Sequence, residues 1–322
     1  MLKRHIIVLI TIISLAFILA SCVTSELSGS DEDYPTRDIT MHVPYAAGGA
    51  TDLTARAVAP YLEEELGQPV AVINTPGATG AVGTSEVISS EPDGYTIMMG
   101  TIGSGVLTPL VEDVGYTKDD YATIGLATRL PAVIAVSIDA PYNSAEELFE
   151  AAKSNPDEIT VGTAGSNSAQ QIELQQLSEE QGIPLKPVPF DGGAEAAKEL
   201  LGGNISAAFI QEPEAMPDIV AGEFKPIGLG ADERSTFLPD VPTLKEQGYD
   251  LTSIAFYGLM APKDTPSEII DKLEGLLEEA LEDPEVVESL EAGYIEPEFL
   301  SSEDMRELVD ETWNQYEAKL NR

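Results

Sequence analysis

Short apolar segments alternate with amphipathic segments along most of the chain. The apolar segments predict strands at 39–45, 70–75, 95–101, 132–137, 159–164, 185–190, 205–210 and 225–231. Helical patterns of polar and apolar residues lie at 50–66, 79–90, 144–154, 169–181 and 193–203. Because strands that alternate with helices form mainly parallel sheets covered on both faces, the pattern predicts an α/β fold.

The prolines and serines predict where several helices bend and begin. Pro60 lies inside the first helical pattern and is expected to kink it, since proline lacks an N–H and clashes with the preceding turn. After residue 266 the pattern predicts two amphipathic helices, with Ser267 and either Ser301 or Ser302 as N-caps.

The N-terminus has the features of an export signal. Two basic residues precede an apolar run at 6–20, and the run ends in the residues LASC, with Cys22 as the single cysteine. This predicts a signal peptide at 1–21, and LASC resembles a bacterial lipobox, whose cysteine is lipidated after cleavage. An uncleaved membrane anchor is the alternative. The polar, acidic stretch at 22–37 is expected to be a lipidated tether.

The charge is strongly one-sided. There are 56 acidic and 17 basic residues, a formal net charge of −39 at pH 7. Such a surface repels nucleic acid and anionic membranes, so neither is an expected partner. The acidity either selects a cationic partner or adapts an exported protein to high salt or high pH. An anion site in this chain would have to work through local dipoles and hydrogen bonds.

The residue inventory argues against an enzyme. Of two histidines, His5 lies in the signal segment and His42 in the first predicted strand. No G-x-S-x-G motif accompanies His42, and the Cys and His ligands of a zinc site are missing. We therefore expect no catalytic residue, metal or cofactor. The remaining alternative is a secreted hydrolase or metal-dependent enzyme that uses His42.

Three loops share one pattern. Segments 46–52 (AAGGATD), 162–168 (GTAGSNS) and 191–196 (DGGAEA) each follow a predicted strand, carry glycine with small or hydroxyl residues, and open a helix. The free N–H groups of a helix's first turn bind anions, and glycine lets a ligand approach the backbone. The alternative is three ordinary strand-to-helix turns. No phosphate-binding G-x-x-x-x-G-K-[ST] motif occurs. Such loops could hold a carboxylate without lysine or arginine, and the loops alone leave the anion open.

The order and spacing of six motifs carry a family resemblance. They are VPYAAGGATDLTAR, LGQPVAVINTPGATGAVGTSEV, PDGYTIMMGT, LGGNISAAFI, LPDVPTLKEQGY and YGLMAPKDTP. With them the chain resembles the substrate-binding proteins of tripartite tricarboxylate transporters, the Bug/TctC receptor family. The resemblance implies a periplasmic-binding-protein-like fold of two α/β domains that close like a Venus flytrap, each a mainly parallel sheet flanked by helices. It places domain 1 at 38–129 plus 254–322 and domain 2 at 130–253.

The resemblance also implies where a ligand binds. In this family a ligand carboxylate is held by backbone amides and waters between two strand-to-helix loops. Carried over by motif, the ligand-binding residues are Tyr45, Gly48, Gly49, Ala50, Thr51, Asp52, Thr101, Ser104, Ala164, Gly165, Ser166, Asn167, Ser168, Phe190, Asp191, Gly192 and Gly193. Asp52 is expected to cap its helix, since a carboxylate facing a carboxylate is unfavourable.

Several positions depart from the family pattern. Ala46-Ala47 stands where the family has a proline, and Asn167 and Gln171 stand where it often has Gly and His. The sequence therefore does not name the carboxylate, although loops with little charge suit a monocarboxylate or a small dicarboxylate. Arg129 is either the partner of a second carboxylate or a solvated strand end.

The expected function is an extracytoplasmic, membrane-anchored receptor. It would bind a small organic carboxylate as a monomer and deliver it to the permease subunits of the transporter, with Cys22 as the site of its lipid anchor. A ligand-sensing receptor for a membrane histidine kinase is the alternative, because the same fold and site would serve both roles.

Overall fold

The computed structural model describes residues 34–156 and 158–321. The predicted signal peptide, Cys22 and most of the predicted tether lie outside the described residues. From Arg37 onward the chain forms one compact unit. Among the described helices, none is both long and apolar enough to cross a membrane.

Nine strands lie within the described residues. They are β1 (Ile39–Val43), β2 (Val70–Asn74), β3 (Thr96–Thr101), β4 (Tyr121–Ser137), β5 (Thr160–Thr163), β6 (Lys186–Pro189), β7 (Ala207–Gln211), β8 (Phe224–Gly230) and β9 (Ile254–Pro262). Each strand predicted from the apolar segments is present. Strand β4 is longer than predicted: it begins at Tyr121, whereas the apolar segment predicted a start at 132.

Ten α-helices lie within the same residues. They are α1 (Ala50–Leu66), α2 (Ala81–Ile88), α3 (Thr108–Val111), α4 (Ala145–Ser154), α5 (Ala169–Gln181), α6 (Gly193–Leu201), α7 (Glu212–Val220), α8 (Ser267–Glu282), α9 (Pro284–Ala292) and α10 (Ser302–Leu320). A 3-10 turn at Ala78–Gly80 and a π-helical turn at Gly103–Leu107 complete the helical segments.

The sheet is continuous, and its strand order is β2-β1-β3-β9-β4-β7-β5-β6, with β8 also paired to β4. β1 is parallel to β2 and β3, and β5 is parallel to β6 and β7. β9 is antiparallel to β3 and β4, and β4 is antiparallel to β7 and β8. The mixed α/β fold with mainly parallel strands on each side of β4 confirms the predicted fold class.

Strand β4 connects two halves of the molecule. Its residues 121–131 pair with β9, and its residues 132–137 pair with β7 and β8. The backbone N–H of Ala132 donates to the carbonyl of Ser253 at 2.8 Å, so the two chain crossings lie side by side. We use "terminal half" for residues 37–131 and 254–321, and "middle half" for residues 132–253.

The middle half has a hydrophobic core on each face of its sheet. Ile134 belongs to the cluster that contains Phe149 and Phe209, whereas its neighbour Val133 belongs to the cluster that contains Ile210. Successive residues of a strand point to opposite faces, so one buried strand serves both cores. The N-termini of α5 and α6 follow the carboxyl ends of β5 and β6, which is where ligands bind in α/β sheets.

The structure corrects three predictions about helices. The C-terminal region holds α8, α9 and α10, one helix more than the predicted two. Pro266, not Ser267, is the N-cap of α8, whereas Ser301 caps α10 as predicted. Helix α7 was not predicted, because Pro213 and Pro217 mask its pattern. Pro60 lies inside α1 without ending that helix, and the kink stays a prediction.

Candidate functional site

A cavity of about 400 Å³ lies between the two halves. That volume suits a small organic molecule. The terminal half lines it with Tyr45, Ala46, Ala47, Gly49, Ala50, Thr51, Thr79, Thr101, Ile102, Gly103, Ala255 and Tyr257. The middle half lines it with Ala164, Ser168, Ala169, Gln170, Asp191, Gly192, Gly193, Ala194, Glu195, Lys198, Glu199, Gln211 and Glu214.

The first loop is held in shape by Asp52. Its carboxylate accepts hydrogen bonds from the backbone N–H of Gly48, from Nε of Arg56 and from Nδ2 of Asn74, each at 2.9 Å. Burial alone would raise the pKa of Asp52, but these donors outweigh it and lower the pKa. Gly48 has φ +87°, a conformation that glycine adopts readily. Asp52 therefore holds the loop closed on itself, and the Gly48 N–H is not available to a ligand.

A half-buried glutamate lies between the two halves at this end of the cavity. Glu214, in the first turn of α7, accepts the N–H of Gln211 at 3.1 Å. The backbone N–H groups of Ala50 and Gly193, the first residues of α1 and α6, lie near this carboxylate and lower its pKa. A Cβ placed on Gly193 would overlap this carboxylate. An internal carboxylate thus occupies the helix N-termini that the sequence assigned to a ligand.

The surroundings of Glu214 are apolar and aromatic as well as polar. Burial raises the pKa of Glu214 to about 7, although the three backbone donors pull it down. Burial, together with the negative charge of Glu214, raises the pKa of Tyr257 well above its usual value of 10.0. Burial also raises the pKa of Tyr45. Both phenols therefore stay neutral donors beside a carboxyl group that changes charge near neutral pH.

The second loop presents a different helix N-terminus. Ser168 is the N-cap of α5: its Oγ accepts the N–H of Gln171 at 3.3 Å and donates to the carbonyl of Gly165 at 2.8 Å. The N–H groups of Ala169 and Gln170 have no acceptor within the helix, as is general for a first turn. Both residues line the cavity. This helix end therefore retains donors for an anion.

Hydroxyl groups form the side of the cavity next to β3. The phenol of Tyr45 bonds to Oγ1 of Thr101 at 3.1 Å, and to the carbonyl of Thr79 at 3.3 Å. Ser104 lies behind them, fully buried, and its Oγ accepts the N–H of Thr101 at 3.2 Å. Ser104 thus supports the wall and does not line the cavity.

Outside the cavity, hydrogen bonds join the terminal half to the middle half. Asn167 donates to Glu112 at 2.6 Å. The phenol of Tyr316 and the ammonium of Lys319, both in α10, donate to Glu173 of α5 at 2.9 and 2.6 Å. The structure is therefore a closed arrangement of the two halves.

The structure brings most of the predicted site residues together. Those that line the cavity are Tyr45, Gly49, Ala50, Thr51, Thr101, Ala164, Ser168, Asp191, Gly192 and Gly193. Gly165, Ser166 and Phe190 line an adjacent opening, which Asp191 shares. Gly48, Asp52, Ser104 and Asn167 line neither, because each is engaged in a bond that shapes the walls.

Two predictions about single residues outside this group have clear outcomes. His42 lies in β1, as predicted, and its Nδ1 is 3.4 Å from the hydroxyl of Thr75. Arg129 pairs with Glu298 and lines a different cavity, so it does not face a ligand in this one. Among the described residues, no cluster of His, Cys, Asp and Glu has the arrangement of a metal site.

Sequence reasoning missed Gln211, Glu214 and Tyr257 as lining residues. The available signal was position: Gln211 ends β7, and the carboxyl end of a parallel strand faces the ligand side of its sheet. Tyr257 lies in β9 and begins the motif YGLMAPKDTP, which was used for the family resemblance but not for the site.

The chain is similar to known proteins over most of its length. The family model described as "Tripartite tricarboxylate transporter family receptor" matches residues 54–321. A UPF0065 protein of Agrobacterium vitis is 34% identical over 276 residues, 85% of this chain and 80% of that protein. Protein BugT of Bordetella pertussis is 31% identical over 286 residues, 87% of each chain.

Two similar solved structures hold carboxylates. R. palustris Rpa4515 with adipate is 27% identical with a TM-score of 0.85, covering 89% of this chain and 97% of that one. MatC (Rpa3494) from Rhodopseudomonas palustris with bound malate is 28% identical with a TM-score of 0.81, covering 89% and 99%.

Proposed function

Since this chain belongs to the tripartite tricarboxylate transporter receptor family, we propose that it is an extracytoplasmic solute-binding receptor for a small organic carboxylate. The single observation that carries this proposal is the cavity of about 400 Å³, to which both halves contribute residues and helix N-termini. Adipate and malate in the structures of similar proteins support a carboxylate as the ligand class.

The ligand carboxylate is proposed to bind at the N-terminus of α5. There the first N–H groups, those of Ala169 and Gln170, are free of intrahelical acceptors and line the cavity. The positive end of the helix dipole adds to their attraction for an anion. The opposite end is less suitable, because the carboxylate of Glu214 already lies near the N–H groups of Ala50 and Gly193. No lysine or arginine is needed for this mode of binding.

Capture is proposed to follow from closure of the two halves. A ligand that contacts both walls stabilises the closed arrangement relative to an open one, and so shifts the population toward it. We place the lobe boundary where β4 changes partners, between Pro131 and Ala132, and at the return crossing between Ser253 and Ile254. This division lies within two residues of the domain limits expected from the sequence.

The cellular setting is part of the proposal. Lipidation at Cys22 would anchor the receptor to a membrane, and a separate permease would receive the carboxylate. The lipobox-like LASC sequence supports the anchor, and the family supports delivery to a transporter.

Thermal unfolding in the presence of ligands tests the proposal. We would record the Tm of the purified protein against mono-, di- and tricarboxylates, each paired with its primary amide. A carboxylate that raises Tm with increasing concentration, while its amide does not, is the expected result. Amides that stabilise the protein as well as their acids would contradict carboxylate recognition, and so would a panel without any shift after the protein has been unfolded, dialysed and refolded.

A further inference from the structure

The carboxylate of Glu214 has room for one more donor. A carboxylate accepts about four hydrogen bonds through its two oxygens. The backbone N–H of Gln211 takes one position at 3.1 Å, and the N–H groups of Ala50 and Gly193 lie near enough to lower the pKa of the carboxyl group. Glu214 lines the cavity and its side chain is partly exposed, although protein surrounds it. The remaining acceptor position is therefore within reach of a bound ligand.

A second acceptor lies next to it. Gln211 lines the same cavity and is 4% exposed. Its side-chain oxygen is buried and forms, with Glu214, the capping box at the start of α7. An amide oxygen has two lone pairs, so it can accept a ligand donor as well. Glu214 and Gln211 therefore both present acceptor oxygens at this end of the cavity, where a hydrogen-bond donor of a ligand could bind.

The charges around the cavity also disfavour a second anion. Four acidic residues line it, namely Asp191, Glu195, Glu199 and Glu214, and one basic residue, Lys198, lies among them. Two carboxylates in contact cannot both stay ionised without a large cost. A ligand group at Glu214 that carried a negative charge would face that cost in a cavity whose lining has four acidic residues and one basic residue.

We propose that Glu214 is a specificity-determining residue, which selects carboxylates that carry a hydrogen-bond donor at their far end and rejects those that carry a second carboxylate there. The donor is a protonated amine, an amide N–H or a hydroxyl. The proposal rests on the proposed function, since the ligand's carboxylate binds at α5 and its donor at Glu214. Gln211 supplies the second acceptor at this end.

Ligands of matched length test this selection. Butanoate, 4-hydroxybutanoate, 4-aminobutanoate and succinate differ only at the group that would meet Glu214, and the five- and six-carbon series extend the comparison to other spacings. Kd values at pH 8 would be measured by calorimetry. We expect the amine or the hydroxyl to bind about tenfold or more tightly than the methyl and the carboxylate, the value of one hydrogen bond to a charged group.

Glu214→Gln removes the charge and keeps the size. In this variant we expect the affinity for the amine, relative to the methyl ligand, to fall about tenfold. The affinity for the dicarboxylate should rise above its wild-type value. Glu212→Gln is the matched control, because Glu212 is a buried glutamate of the same helix whose carboxylate bonds to Ser235 at 2.6 Å and does not line this cavity. The control should keep the wild-type order of ligands.

The outcomes separate the two proposals. Dicarboxylates that bind as tightly as the amines in the wild type would overturn the selection, and so would an order unchanged in Glu214→Gln. In either case the carboxylate receptor itself still stands. If no carboxylate binds in any series while amides do, the proposed function fails and the selection fails with it. Should Glu214→Gln not fold, Gln211→Leu supplies a second test, with a loss of donor preference expected.

Discussion

The two ends of the cavity present helix N-termini in different states. At one end, the first N–H groups of α1 and α6 converge on the carboxylate of Glu214. At the other end, Ser168 accepts only the third N–H of α5, and Ala169 and Gln170 line the cavity. A strand, a glycine-rich loop and a helix are common to both. The state of each end depends on whether another element supplies an anion, and at α1 and α6 that element is α7.

This difference shows that an anion site cannot be assigned from its own loop alone. The loops at 46–52 and 191–196 have the pattern of an anion site, and each does hold a carboxylate. The carboxylate belongs to the protein, and its presence converts a site for anions into a site for donors. The loop at 162–168 lacks such an internal partner.

Displacing the Glu214 side chain should have the largest effect on the free energy of unfolding. In Gly193→Ala the new Cβ would overlap the Glu214 carboxylate, so the side chain must leave its backbone donors. We expect the free energy of unfolding to fall by about 2–4 kcal/mol, from overpacking and lost charge-assisted bonds. Urea unfolding at pH 8 measures the change.

Gly49→Ala is the control for that variant. Its Cβ would lie 3.6 Å from the nearer oxygen of Glu214, an ordinary contact. We expect a loss of less than about 1 kcal/mol, the small cost of replacing glycine by alanine at an N-cap. Equal losses of unfolding free energy in Gly193→Ala and Gly49→Ala would show that the absence of a side chain at Gly193 is not required to accommodate Glu214.

The protonation state of Glu214 should determine which ligand groups bind at its end of the cavity. Its pKa of about 7 means that the carboxyl is mostly protonated, and can donate to a ligand carboxylate, below that pH. Above that pH it is charged and repels one. The affinity for dicarboxylates should therefore fall by up to about tenfold per pH unit above 7, whereas ligands with a protonated amine should not weaken. Calorimetry between pH 5.5 and pH 8.5 measures both.

Other titrating groups must be separated from Glu214 in that experiment. Tyr45 and Tyr257 remain neutral over this range because burial raises their pKa values. The charged lining residues Asp191, Glu195, Glu199 and Lys198 are common to the wild type and to Glu214→Gln. Burial also raises the pKa of Glu212 to about 7, so Glu212→Gln is measured alongside. A pH dependence that persists in Glu214→Gln would not originate from Glu214.

Removing the cap of α5 should have the smallest effect on stability. We expect Ser168→Ala to lower the free energy of unfolding by about 1 kcal/mol, because the N–H of Gln171 loses its acceptor. Carboxylate affinity should fall as well, since this helix end is the proposed anion site. Ser144→Ala is the control: Ser144 caps α4 in the same way, accepting the N–H of Glu147 at 3.2 Å, and does not line the cavity. Identical carboxylate affinities in the two variants would count against a site at α5.

Local patterns were sufficient to predict most of the fold. Helices α1 and α5 have the bounds that their sequence patterns predict, since each ends at a glycine in the left-handed conformation, Gly67 and Gly182. The first part of β4 was missed because it contains polar residues such as Thr123 and Thr128. The hydroxyl groups of both are satisfied by carbonyls far away in the sequence, Ser302 and Glu296.

The candidate site was predictable where it depends on single loops. Gly49, Ala50 and Gly193 were identified because a glycine-rich helix start has a local signature. Glu214 was not, since it lies between Pro213 and Pro217, which obscure the helix that contains it. The residues near its carboxylate are more than a hundred residues away at Ala50 and about twenty away at Gly193. Contacts of that kind are fixed by the assembly of the strands and not by the local sequence.

The adjacent crossings at Ala132 and Ser253, joined by one backbone hydrogen bond of 2.8 Å, make the middle half an insertion with neighbouring ends. Such an insertion can be exchanged between homologous receptors without a new linker. A chimaera that receives residues 132–253 would inherit α5, α6 and Glu214 together, but would keep the α1 of its host. Recombination at two neighbouring points should therefore transfer the part of the ligand preference that α5 and Glu214 determine, and leave the part set by the terminal half with the host.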